Sequence, residues 1–160
     1  MFANERHLYA NLLDYAQRLA ADIPEEKMAH QPAPDMNTPL WVLTHLAICT
    51  DYAAELLGGT KVCPESWHRD FGPFSKVGEH QGPVGTKAEI LAALAAGHAR
   101  VTELAKTPDS AAMAQANPFE FVRKPLPTVG LLLAHLLTTH EAIHLGQLSA
   151  WRRVQGMPSV

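Results

Sequence analysis

The stretch TVGLLLAHLLTTHEAIHLGQLSAWRRVQG, residues 128–156, decides the fold class. Thr128 is placed to cap free amide groups and Gly156 to end a helix, which predicts one helix of about 27 residues between them. Steps of four and three along it give the stripe Leu133, Leu137, His140, His144, Gln147, Trp151 and Val154, the spacing of a face turned towards packed neighbours. Three polar side chains stand in the middle of that apolar stripe. An unpartnered buried polar group costs about 1–3 kcal/mol, so something must satisfy them. His140 and His144 are one turn apart on the same side, where two imidazoles can grip one ion.

Working outward, the rest of the chain divides at its breakers into three further helical segments. Thr38-Pro39 is a cap followed by proline at the first helical position, and the helix it opens should end at Gly58-Gly59. Its stripe is Trp41, His45, Ile48 and Tyr52, again a lone histidine among large apolar groups. Thr86 and Glu89 fit a capping box that starts a third helix running to about Lys106. The first helix is expected from Asn4, as its cap, to Ala21, burying Leu8, Leu12, Tyr15 and Leu19. A short turn is expected near Asp109–Gln115. Residues 60–85 form a long irregular connection whose Trp67, Phe71 and Phe74 should pack over the protein. No run alternates as a half-buried strand does, so the expectation is all-α, a four-helix bundle in one domain spanning residues 1–160.

Composition agrees. Of 160 residues, 47% are hydrophobic and 18% charged, enough to bury a core, and the net charge of −3 is of the wrong sign for nucleic acid. No apolar run approaches the ~20 residues of a membrane helix, and the charged opening residues do not read as an export signal, so the cytoplasm is the expected location. Cys49 and Cys63 are expected to remain thiols.

One imidazole from the second helix and two from the last would make a three-nitrogen site, His45, His140 and His144, with an open position of the kind catalytic metals keep. Cys49, one turn beyond His45, can be a ligand, a reactive thiol or a small buried hydrophobe, and the last is favoured. His140-Glu141-Ala-Ile-His144 also fits the zinc-peptidase pattern, but no His, Asp or Glu follows to supply a third ligand. Glu141 is therefore expected to point off the stripe towards solvent or a partner. His135 should be rotated away from the pair, and His7, His30, His68, His80 and His98 are read as surface or packing residues. Asp14 and Gln17 are weak candidates for lining the site.

Two segments carry a resemblance. Thr38-Pro-Leu-Trp41-Val-Leu-Thr-His45-Leu, with His140-Glu-Ala-Ile-His144-Leu-Gly146-Gln147-Leu and the closing Gly156-Met-Pro158, resembles the DinB/YfiT-like superfamily of small bacterial metalloproteins. The resemblance implies a four-helix bundle, a zinc or nickel ion on His45, His140 and His144, a homodimer, and a small-molecule substrate. It implies chemistry of one of two kinds: transfer or isomerisation dependent on a low-molecular-weight thiol such as bacillithiol, mycothiol or glutathione, or metal-dependent hydrolysis. A non-catalytic metal-binding or stress-response role is the alternative. The long segment 60–85 departs from a compact member of the superfamily.

Overall fold

A computed structural model describes residues 1–160 and is all-α. The helices are α1 (Ala3–Ala21), α2 (Pro39–Leu56), α3 (Glu65–Phe71), α4 (Lys87–Leu104), α5 (Ser110–Met113), α6 (Glu120–Arg123), α7 (Val129–His135) and α8 (Glu141–Val154), the last two joined without a break by a π-helical turn, Leu136–His140. The only β pairing is an isolated bridge between Ala116 and Thr128. No helix is long and apolar enough to cross a membrane.

The starts of the helices are where local chemistry puts them. Thr38 accepts from the Trp41 amide at 3.1 Å with Pro39 at the first position, Thr86 and Glu89 form the reciprocal capping box, and Thr128 accepts from the Leu131 amide. The first helix differs: Phe2, at φ 58°, precedes it with no side-chain cap, and Asn4 lies inside it. Its buried stripe is also displaced, to Tyr9, Ala16, Leu19 and Ala20, while Leu8 is exposed. The apolar spacing suits either neighbouring stripe, and the smaller Ala16 and Ala20 allow the closer approach. The connection 60–85 is irregular except for α3, which buries Trp67 and Phe71 as expected and leaves Phe74 82% exposed.

Four long segments, α1, α2, α4 and α7–α8, surround the interior: α2 packs on α4 and α8, and α1 packs on α4 and α8. α2 is the central one, with fourteen of its residues buried. The apolar interior has two parts. One gathers Leu19, Leu43, Ile48, Leu94, Leu145 and Trp151; the other gathers Tyr9, Val101, Met113, Val129, Leu133 and Leu137. Val154, the last residue of the expected stripe, is exposed because the packed neighbours end before it. Arg152 is buried and ties the C-terminus down, donating to the carbonyls of Leu19 and Pro158 and pairing with Asp22.

α2 and α4 approach each other closely at Gly97. A Cβ there would lie 2.0 Å from Thr50 Oγ1 and 2.5 Å from Thr50 Cβ. Gly97→Ala should therefore destabilise the protein by about 1–3 kcal/mol through overpacking, more than the ~1 kcal/mol that alanine gains over glycine in a helix. Denaturant melts check this: the midpoint falls in G97A and recovers in part when Thr50→Gly is added, whereas an unchanged midpoint would show that the two helices separate freely.

Candidate metal centre

The three predicted histidines come together. Ring centroids of His45 and His140 are 5.3 Å apart, and His144 lies 4.6 Å from each. His45 Nε2 faces His140 Nε2 at 3.4 Å, and Cys49 Sγ lies 3.5 Å from His45 Nε2. Donor atoms of His45, Cys49 and His140 all fall within 4.8 Å of one another, a group that could hold a metal ion. His144 adjoins this group, its ring 4.6 Å from those of His45 and His140, without being one of its three members.

His45 and His144 each have a fixed role for the second ring nitrogen. His45 Nδ1–H donates to the Phe71 carbonyl at 2.6 Å, which leaves the Nε2 lone pair free, and the Trp41 indole stacks on the ring at 4.6 Å. Trp41 is in turn held by donating to Ser75 Oγ. His144 Nδ1–H donates to Gln147 Oε1 at 3.0 Å, and Asn37 donates to the same oxygen at 2.8 Å, which sets the orientation of the amide. These are the outer partners that ligating histidines use to fix their tautomer. Nδ1 of His140 is buried with no hydrogen-bond partner. With its proton on Nδ1, His140 turns a second lone pair on that of His45, an arrangement that a cation between them stabilises. The residues present thus fit a divalent ion.

Burial, then the neighbouring imidazoles, keeps these rings neutral: His45 is pushed down to about 4 and His140 to about 2. Burial likewise lowers His144, against the Gln147 hydrogen bond. The Cys49 thiol is pushed up by burial and by Glu141 and Cys63. Neutral imidazoles are the form that binds metal.

Above the histidines lies a cavity of about 250 Å³ walled largely by apolar and aromatic side chains, among them Trp41, Tyr52, Phe74, Phe119 and Phe121. Its walls come from both irregular connections. Phe74 and Phe121 meet edge-on at 5.0 Å, and Asn117, fully buried, holds the second connection by bonding to the Phe119 amide and the Leu126 carbonyl.

Several residues lie elsewhere than expected. Glu141 is buried, not solvent-facing: its Oε1 is 3.1 Å from His98 Nε2, because α8 is covered on the flank beside the stripe as well as on the stripe itself. Burial raises its pKa, against the opposing effect of the neighbouring His98, and it does not line the cavity, so it is not the base of a peptidase. His98 is buried under the ring of Tyr9, stacked at 3.6 Å, and His68 pairs with buried Asp51 at 2.9 Å. His135 lines the cavity with its ring 5.5 Å from His140. The π turn brings it there, since five residues in that turn carry His135 round to the face that a regular helix would deny it. Asp14 and Gln17 are exposed, Asp14 pairing with Arg18. Cys63 is a half-buried thiol whose Sγ approaches the Ala47 carbonyl at 3.6 Å.

No curated protein matches the chain significantly. Residues 8–148 match the model of the DinB superfamily, nearly the whole of the described fold and both histidine-bearing segments, and the chain belongs to that superfamily.

Proposed function

We propose that the protein is a metal-dependent enzyme in which His45, His140 and His144 hold a zinc or nickel ion at the floor of the aromatic cavity, and that it transfers a low-molecular-weight thiol to an apolar electrophile. The observation that carries this reading is the convergence of the Nε2 atoms of buried His45 and half-buried His140 at 3.4 Å, the first with its tautomer fixed by the Phe71 carbonyl, beneath a cavity large enough for a small molecule. Bound there, the ion supplies a position at which a thiol loses its proton near neutral pH. The protein does the rest. Gln147 and Asn37 orient His144, Trp41 holds the His45 ring, and the aromatic walls exclude water from the reacting pair and favour an apolar partner.

Elemental analysis of untagged protein purified without added metal should find about one equivalent of zinc or nickel, lost with a chelator. The same protein, assayed across thiols paired with electrophiles, should consume both together, and only when metal is present. Ester or amide cleavage without any thiol would replace transfer by hydrolysis. A metal-loaded protein inert towards every pair would leave a binding or sensing role.

A further inference from the structure

Cys49 is the one side chain in the metal-binding group that the three-histidine reading does not use. It follows His45 by one turn of α2, is buried, and shares the cavity floor with the histidines. Its placement is metrically specific. Two nitrogens bound to zinc at ~2.0–2.1 Å and at the tetrahedral angle stand about 3.3–3.4 Å apart, and a nitrogen and a sulfur bound at ~2.05 and ~2.3 Å stand about 3.6 Å apart. The observed separations are 3.4 Å between the Nε2 atoms of His45 and His140 and 3.5 Å between Cys49 Sγ and His45 Nε2. Both match tetrahedral edges that meet at His45 Nε2, and Cys49 Sγ and the His140 donor atom lie within 4.8 Å of each other. Cys63, the other thiol, lies outside the group, with its Sγ against the Ala47 carbonyl.

We propose that Cys49 Sγ is a ligand of the metal centre, occupying in the resting protein the position that an incoming thiol takes. The inference rests on the metal site proposed above and deepens it: the centre exchanges one sulfur for another, the incoming thiol giving up its proton as it takes the position and the displaced Cys49 thiolate taking one up, so the centre discriminates in favour of thiols over oxygen ligands. The cysteine also closes the ion to water until a thiol arrives.

Cobalt(II) added to metal-free protein, handled without reducing thiols, reports on the ligands directly. The wild type should show the visible bands of tetrahedral cobalt together with an intense near-ultraviolet thiolate-to-cobalt band. Cys63→Ser should keep the thiolate band, and Cys49→Ala should lose it while retaining the visible bands. Bound cobalt in the wild type with no thiolate band, or a band that survives in C49A, overturns the assignment; absence of cobalt binding overturns it together with the metal site. Glutathione added to cobalt-loaded C49A separates the two readings. Return of the band there supports exchange at that position, and its failure to return counts against thiol binding while leaving Cys49 as a ligand.

Discussion

His140→Ala should reduce the bound metal of the purified protein to background, with the loss of any metal-dependent turnover. His140 supplies one of the two nitrogens that face each other across 3.4 Å, and it lies on the π turn at the centre of the final helical segment. Disturbing an outer partner of a ligating histidine costs ~10–100-fold in metal affinity; removing the ligand itself should cost more. The fold should survive. Truncation opens a cavity but also removes a buried nitrogen that has no partner, and these two effects oppose one another. Thermal melts with and without added zinc make the distinction: metal raises the wild-type midpoint by mass action and leaves that of H140A where it was. A variant that still binds zinc stoichiometrically would move the site elsewhere. Acid should act on the metal-free wild type in a definite direction. Unfolded histidines take up protons near ~6.5, but His45 and His140 resist until about 4 and about 2, so stability falls as the pH drops below the ordinary histidine range.

Asp51→Asn should be the most destabilising exchange outside the metal group, by about 3–5 kcal/mol in a denaturant melt. The carboxylate is fully buried and accepts from four donors: the amides of Val62 and Cys63, His68 Nε2 and the Arg100 guanidinium. An amide offers one oxygen in place of two and turns an NH2 towards groups that also donate, while the charge of Arg100 loses its counterpart. Burial alone would raise the Asp51 pKa, but the Cys63 amide, Arg100, the Val62 amide and His68 together outweigh it and hold it below the usual carboxylate value. The stabilisation is therefore present above the unfolded aspartate range and is lost as pH falls through the lowered folded value; D51N should lack that acid limb. The effect should also reach the site. Asp51 anchors the start of the connection and, through His68, the helix α3 whose last carbonyl orients His45, so metal affinity should fall although Asp51 touches no ligand. Unchanged stability would mean that the four donors find other acceptors.

The main helices and the histidine triad were legible because each rests on local chemistry: Thr38-Pro39, the Thr86–Glu89 box, Thr128, and polar groups at apolar positions of a periodic stripe. What was not legible depends on partners distant in the chain. Glu141 reads as an outward residue until His98 from α4 is placed against it. α3 is only seven residues long and is held by burial of Trp67 and Phe71 and by the His68–Asp51 contact rather than by propensity. The i, i+4 spacing of Trp67 and Phe71 was its one signal. The place of Cys49 beside the histidines was visible as spacing from His45 but not as distance from His140, which the folding together of α2 and the final helical segment creates. His135 was misplaced for a single reason, the assumption of a uniform helix through residues 136–140.

That π turn also separates two registers. Leu133 and Leu137 lie in one part of the interior, Leu145, Leu148 and Trp151 in the other, and an α-helix advances about 100° per residue. A chain lacking Thr138 or Thr139 would keep the three histidines and every core side chain, yet could not satisfy both parts of the interior at once. In relatives, the number of residues between the positions of His135 and His140 should thus be held more strictly than their identity, and an alignment gap falling there would mark a protein whose final helix presents different residues to the cavity.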